Sequence, residues 1–562
     1  MGAAADGDRP VVVVTGGGAG IGAAVAEELG RTGWFVVTVD PMVSLDGATP
    51  LPEPEQTTAG RIVAAGGTAR ASSASVTDAE AIRRLVAEVV EERGRLDAVV
   101  NVAGISRPTS FATGSGDDWG AVLSVHLDGY LNVLGAALPV MARAGRGRVV
   151  GVTSGSGWRA ADAGAYGCAK RAVAALTWQL GVAPPDGVSV NAMSPIAVTR
   201  MVTAALGRAG RPGGSGAATT GGLSLGSMPA PEQLGPTGAH LVAEGFAWCS
   251  GRVVFAGGSE VSVVDPPRLL EAVRTSGAAS VAHVLDAVTD RALVPAEATQ
   301  GSAGATNPRF GPVFDERSGP AGPPVVARCA VVSDRPEVAA EVRAALAARD
   351  VDVVEVDATE LPATFEAASQ ALGSAGDPGD VDGVVVALGG PAPAGEGAPW
   401  ERVLSEHHGL VEHLFRDAAW SRAAADHAAS AGRPQRLVVL TDATTAGGRS
   451  RAQAAAQLSR AATGATEGSV ASFAVALEAT ADDGAAAGEV TAHLLCSPAA
   501  AGLAGAELVV GAGWFGVRSH PRPGGSITFG GPEVPPWLDA ALRDAAGVTT
   551  PADPARPHGG ES

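Results

Sequence analysis

Four valines run straight into a cluster of glycines near the N-terminus, VVVVTGGGAGIG from Val11 to Gly22, and an Ala/Glu/Leu-rich stretch follows from Ala23. A short β-branched run reads as a buried strand, the glycines as a tight turn, and the Ala/Glu/Leu stretch as a helix. Gly16, Gly20 and Gly22 can adopt dihedrals closed to other residues and allow close backbone approach. The amides that open the helix around Ile21 can therefore face a pyrophosphate. A strand, turn and helix in this order point to a doubly wound parallel α/β sheet that binds a dinucleotide.

The next strand, WFVVTVD, ends at Asp40, where a dinucleotide fold places the acid that accepts hydrogen bonds from the adenosine ribose. A carboxylate there repels the extra phosphate of NADP, and no Arg or Lys stands inside the glycine turn to counter it. NAD is the expected cofactor. RLDAVVNVAG supplies a third strand, Leu96 to Val100, ending in Asn101, Ala103 and Gly104 on the cofactor side.

The strand from Arg148 to Thr153 runs into Ser154, and AYGCAKRAVAAL follows with Tyr166 and Lys170. Lys170 is the only lysine in the chain and Tyr166 one of its 2 tyrosines. A general preference for arginine explains the missing lysines but not the exception. Positions i and i+4 share a helix face. A phenol with an ordinary pKa near 10 is a poor base at neutral pH, and an adjacent ammonium favours its ionised form. Arginine would bring the charge but not a compact head with three rotatable donors. With Ser154 aligning the reacting oxygen, the three residues make a proton relay for catalysis beside a nicotinamide.

TGGGAGIG, NVAG, Ser154 and YGCAK together resemble the short-chain dehydrogenase/reductase family over about residues 8 to 265. The resemblance implies that Ser154 polarises a carbonyl, Tyr166 is the acid/base, and Lys170 binds the cofactor and activates the tyrosine. It also implies cofactor contacts at Val76, Pro195, Val198 and Thr199. His126 stands where relatives carry an asparagine that holds a water, and is a candidate for that catalytic role, with plain helix packing as the alternative. Ile196 replaces the usual glycine after Pro195. The Gly/Ala/Ser/Thr-rich segment 201–235 falls at the family's substrate loop. Similarity to hydroxyacyl-CoA dehydrogenases and 3-oxoacyl reductases implies a secondary alcohol or ketone on a fairly large substrate, an acyl thioester or a steroid-like alcohol.

A chain of 562 residues exceeds one core, and strand-helix alternation restarts after a Gly/Ala/Pro/Ser-rich stretch. WGAVLSVH from Trp119 recurs as WERVLSEH from Trp400, matching His126 to His407, as in a duplicated unit. The expected organisation is two tandem Rossmann-like domains: a catalytic domain 1–299, a linker 300–323, a degenerate SDR-like domain 324–535 and a tail 536–562, partly disordered. Alignment of AYGCAKRAVAAL with AQAAAQLSRAAT puts Gln453 at the tyrosine, Gln457 at the lysine and Thr441 at the serine. The copy then has no Tyr/Lys chemistry and pairs with the first half as a pseudodimer, two chains making a homodimeric pseudotetramer.

A formal charge of −19 disfavours nucleic acid, and no apolar run approaches a membrane span of about 20 residues. Cys168, Cys249, Cys329 and Cys496 are too scattered for a disulfide framework or a metal site, and a cytoplasmic enzyme is the expectation. The alternative reading is a non-catalytic NAD-binding scaffold or sensor. Titration with both dinucleotides is expected to show tighter binding of NAD, and tighter binding of NADP would overturn the reading of Asp40.

Overall fold

The computed structural model describes residues 9–548 apart from 160–161, 210–218, 221–222, 275–283, 286–288, 290–292, 294–324, 360–363, 376–379 and 480–483. The strands of the first half are β1 (Val11–Thr15), β2 (Phe35–Val39), β3 (Thr68–Ser72), β4 (Ala98–Asn101), β5 (Gly147–Val152) and β6 (Val188–Pro195). A two-stranded ribbon, β7 (Thr219–Thr220) and β8 (Leu223–Ser224), precedes the hairpin of β9 (Val253–Gly257) and β10 (Glu260–Asp265). Helices α1 (Gly20–Arg31), α2 (Thr58–Ala64), α3 (Ala79–Arg93), α4 (Gly116–Leu123), α5 (Gly129–Ala144), α6 (Gly164–Val182), α7 (Arg200–Ala209) and α8 (Gly235–His240) connect them.

β3, β2, β1, β4, β5, β6 and β9 lie side by side and parallel. β1, β2 and β4 are buried throughout, which is why their sequences are near-continuous valine runs. The winding reverses between β1 and β4, and the cleft outside the carboxyl ends of a doubly wound sheet at that point is where ligands bind.

A second sheet repeats the plan. Its strands are β11 (Leu269–Arg274), β12 (Arg328–Ser333), β13 (Asp352–Asp357), β14 (Gly383–Ala387), β15 (Gln435–Asp442), β16 (Val470–Leu477), β17 (Glu507–Gly511) and β18 (Trp514–Arg518), in the order β13-β12-β14-β15-β16-β17-β18-β11. The registers match pair by pair. Val12 lies beside Val36 and Ala98 as Cys329 lies beside Val353 and Gly383, and Gly147 beside Val188 as Gln435 beside Val470. The helices here are α9 (Pro336–Ala347), α10 (Phe365–Ser374), α11 (Pro399–Glu406), α12 (Leu410–Ala431), α13 (Ala446–Ala465) and α14 (Gly484–Cys496).

The halves exchange strands, which corrects the expected division into tandem domains. The chain leaves β10 in the first sheet and enters β11 in the second. It returns from β18 to β19 (Arg522–Thr528), which pairs antiparallel with β10 at the edge of the first sheet. The two crossings are tied together, the Ser519 amide donating to the Arg268 carbonyl at 2.9 Å. A linker at 300–323 therefore does not separate the sheets. The tail also begins in order: α15 (Leu538–Ala545) buries Leu538 and Leu542 in the first sheet's core. The expected linker and residues 549–562 of the tail lie outside the described residues.

α6 packs on α13, and the core runs without a break from Ala172 and Leu176 to Ala454 and Leu458. Alanine and glycine dominate both helices, so their backbones approach closely. The 29-residue run Gly116–Ala144 has the length and composition to cross a bilayer, but most of it is buried inside the protein.

An ion pair is sealed in this contact. Arg171 Nη2 donates to Glu507 Oε2 at 2.8 Å, with side-chain exposures of 0% and 3%. Arg171 also donates from Nε to Gln453 Oε1 at 2.9 Å and from Nη1 to the Gly157 carbonyl at 3.3 Å. Removing one partner of such a pair strands a buried charge, whereas an apolar replacement of both need not. Glu507→Ala is expected to cost about 3–5 kcal/mol in urea unfolding. The double variant Arg171→Met with Glu507→Leu should lose less than that single change. Equal losses would contradict a sealed pair.

Candidate active site

The glycine turn folds into an open cradle. Gly16 has φ +65°, and a Cβ there would meet the Ala103 amide at 2.8 Å, so the turn lies directly on the end of β4. Gly20 has φ +58° and opens α1; a Cβ on it would approach only Thr199 Cγ2, at 3.8 Å. Gly16 and Gly22 are also in backbone contact, and Ile21 is half-buried beside them. Asp40 lies across the turn, its Oδ2 accepting from the Gly18 amide at 3.1 Å and Oδ1 from the Met42 amide at 2.9 Å. Asn101 accepts from Thr15 Oγ1 at 2.7 Å, locking the ends of β1 and β4 together.

On the other side of the cleft Pro195 ends β6, and the Val198 amide donates to the Pro229 carbonyl at 2.9 Å. Ile196, Leu206 and Met228 form an apolar cluster, with Val198, Val202, Leu225 and Phe255 packed against it. The expected substrate loop thus includes α7 and ordered chain from Leu223; residues 210–218 and 221–222 lie outside the described residues. Val76 is buried against Gly129, and its carbonyl accepts from Asn132 Nδ2 at 2.9 Å, which fixes this segment to α5.

Ser154, Tyr166, Lys170 and His126 converge. Ser154 lies near the Tyr166 hydroxyl and favours its ionised form. Lys170 Nζ donates to the Val152 carbonyl at 2.7 Å and lies 5.7 Å from the centre of the Tyr166 ring. The Thr153 hydroxyl donates to the Lys170 carbonyl at 2.6 Å, so α6 is latched to the end of β5 at both backbone and side chain. His126 meets the Tyr166 ring edge-on at 5.1 Å.

His126 sits in a π-helical turn, Ser124–Asp128, between α4 and α5. Such single turns often accompany functional sites. Its Nε2 donates to the Ile105 carbonyl at 2.9 Å, and Gly104 leaves room for the ring, since a Cβ there would meet Cε1 at 2.4 Å. Burial, with the Lys170 charge, lowers its pKa to about 3. His126 is therefore a neutral imidazole, and a titrating role for its side chain does not fit the site.

Electrostatics also correct the expectation for the tyrosine. Burial raises the Tyr166 pKa, opposed only by Ser154. Burial equally lowers the Lys170 ammonium to about 7. Desolvation dominates, so the phenol keeps its proton at neutral pH.

Among the described residues, the strand ends of the second sheet are filled by side chains. Counting back from Val188 and Val470, which open β6 and β16, places Gly448 opposite Tyr166 and Ala452 opposite Lys170. Strand register likewise places Asp442, not Thr441, opposite Ser154. The alignment of Gln453 and Gln457 with the catalytic pair is thus corrected: by this count Gln453 is the counterpart of Arg171, to which it is hydrogen-bonded. Where the first half has its glycine turn, Asp334 accepts from the Gly389 amide at 2.6 Å and from Arg416 at 3.2 Å. Arg451, paired with Asp417 at 2.6 Å, donates to the Leu388 and Gly389 carbonyls. These side chains fill the strand ends.

The short chain dehydrogenase family profile matches residues 10–209. The short-chain reductase protein NovJ of Streptomyces niveus is 34% identical over 254 residues, 44% of this chain and 92% of that protein. The chain belongs to the short-chain dehydrogenase/reductase family. The peroxisomal hydratase-dehydrogenase-epimerase of Neurospora crassa is 33% identical over 199 residues, 34% of this chain and 22% of that protein. Among solved structures, the actinorhodin polyketide ketoreductase with NADPH is 25% identical, covering 46% of this chain and 98% of its own, at a TM-score of 0.38.

The protein is thus an oxidoreductase of a family that binds nicotinamide cofactors. The cradle fits such a group. Gly20 faces open space toward Thr199, and among the described residues no side chain fills it as Asp334 and Arg451 fill the second sheet's strand ends. Grips on the site's loops from the second half were not legible in the sequence. Arg422 donates to the Ala112 and Gly114 carbonyls, and Gln457 to those of Ser156 and Arg159, across more than half the chain.

A buried ammonium makes stability depend on pH with a definite sign. Lys170 has a folded pKa near 7 against 10.5 unfolded, so between these values the unfolded chain binds more protons. Its unfavourable contribution is absent above 10.5, grows as the pH falls to 7, and is constant below. Lys170→Met should therefore gain in Tm relative to the parent as the pH is lowered from 10 to 7. A difference that stays flat over this range would contradict the buried charge.

Proposed function

We propose that the protein is an NAD-dependent oxidoreductase that interconverts a secondary alcohol and a ketone, with one active centre in its first half. The observation that carries this reading is the convergence of Ser154, Tyr166 and Lys170 at the carboxyl ends of β5 and α6's first turns, beside an open glycine cradle. Gly16, Gly20, Ile21, Gly22, Asp40, Asn101, Ala103, Gly104, Pro195, Val198 and Thr199 would hold the dinucleotide, which supplies or takes the hydride. Ser154 orients the substrate oxygen. Tyr166, protonated at rest, gives its proton to a ketone oxygen, or accepts one from an alcohol in the reverse direction. Lys170 holds the nicotinamide ribose.

The carboxylate of Asp40 favours NAD over NADP by charge. The apolar wall of Ile196, Leu206 and Met228 favours a substrate with a sizeable apolar body, an acyl thioester or a steroid-like alcohol. The second half is read as a degenerate copy, because its strand order and registers repeat those of the first while its cradle is filled. Two such chains would form a homodimer.

Turnover is tested with NAD and a panel of cyclohexanol, butane-2,3-diol, 3-hydroxybutyryl-CoA and testosterone. Tyr166→Phe should reduce kcat by about 10²-fold or more. Unchanged activity would sink the catalytic reading in favour of an NAD-binding scaffold.

A further inference from the structure

The chain from Ser154 to Arg159 carries the serine and has no long helix or strand to hold it. Ser154 Oγ accepts from the Ser156 amide at 3.2 Å, and residues 155–157 make one 3-10 turn. Beyond Ser154 and Gly155, four carbonyls in succession point at α6 and α13, and each accepts a hydrogen bond from a side chain. Gln457 Nε2 donates to Ser156 at 3.1 Å and to Arg159 at 3.0 Å, spanning the turn with one amide group. Arg171 Nη1 donates to Gly157 at 3.3 Å and Arg460 Nη1 to Trp158 at 2.8 Å. Three of these four bonds come from the second half.

Arg171, the one donor from the first half, is itself fixed by Gln453 and Glu507 of the second. The loop across the cleft is gripped separately, through Arg422 at Ala112 and Gly114. The two loops meet where Asp162 Oδ1 accepts from the Phe111 amide at 2.7 Å.

We propose that the second half acts as a built-in positioning device for the catalytic serine, with Gln457 and Arg460 as the residues that set Ser154 against Tyr166. A side-chain amide that bridges two carbonyls fixes the rotation of the turn between them, and with it the direction of the Ser154 hydroxyl. Groups placed with an error of a fraction of an ångström lose much of their effect on a reaction. The fused copy thus keeps a role in the reaction although its own chemistry is absent. The proposal rests on the assignment of Ser154 and Tyr166 as reacting groups.

The full-length chain is assayed with NAD and the same alcohol panel, comparing Gln457→Met, Arg460→Met, Arg460→Lys and Ser154→Ala. Gln457→Met keeps the length of the side chain and removes both donors. It should lower kcat about tenfold, move the acid limb of the kcat profile to higher pH as Tyr166 loses the aligned serine, and leave the KM for NAD and the Tm near parental values. Arg460→Met should do the same to a smaller degree, and Arg460→Lys, which keeps a donor, should restore it.

Parental kcat and acid limb in Gln457→Met, while Ser154→Ala is impaired, would overturn the proposal alone. A loss in Gln457→Met that tracks a fall in Tm and in NAD affinity, with Arg460→Lys no better than Arg460→Met, would also overturn it, since that pattern is general loosening. Parental activity in Ser154→Ala would sink both the proposal and the assignment beneath it.

Discussion

The contact between α6 and α13 is the constraint on which the rest of the structure depends. α6 is used on two faces at once. Tyr166 and Lys170 look toward the end of β5 and the cleft, and the next residue, Arg171, turns away into a sealed ion pair with Glu507 of the other half. A helix committed on both sides cannot slide or roll without breaking buried polar contacts, whose loss is costly in a low-dielectric interior. The strand exchange through β11 and β19 adds a second tie, so the halves share both a core and the edges of their sheets.

Burial governs the chemistry as well. Placing a lysine at 4% exposure lowers its affinity for a proton, and the same dryness raises the phenol beside it. Lys170 has the Val152 carbonyl as its partner. In the proposed complex a ribose would add hydroxyl acceptors for the ammonium, and the balance between lysine and tyrosine would turn on ligand binding. Arginine would stay charged in this place whatever its surroundings. The singular lysine marks a position where a compact, tunable cation is required.

Much of this was legible in the sequence. The glycine turn, Asp40, Asn101 and the Ser154, Tyr166 and Lys170 set act through local backbone geometry and i, i+4 spacing, which leave marks in short windows. Register between the halves was not legible. α13 starts sooner after β15 than α6 does after β5, so an ungapped match of helix to helix slid Gln453 and Gln457 onto the catalytic pair when their true neighbours are Arg171 and the Ser156–Arg159 turn. The strand exchange was hidden for a related reason. β11 and β19 follow their predecessors after short turns, and nothing in LLEAVR or RPGGSIT says which sheet will receive them. His126 shows the limit of residue type as a guide, since complete burial holds its imidazole neutral.

Two sheets of the same plan differ at their strand ends. In the first, glycines leave room for a dinucleotide; in the second, Asp334, Arg416, Arg451 and Asp417 occupy the corresponding strand ends. Calorimetric titration of the full chain with NADH tests this most directly. A stoichiometry of one dinucleotide per chain, abolished by a bulky replacement such as Gly16→Val, is the predicted result. Two dinucleotides per chain, or one that survives Gly16→Val, would contradict it.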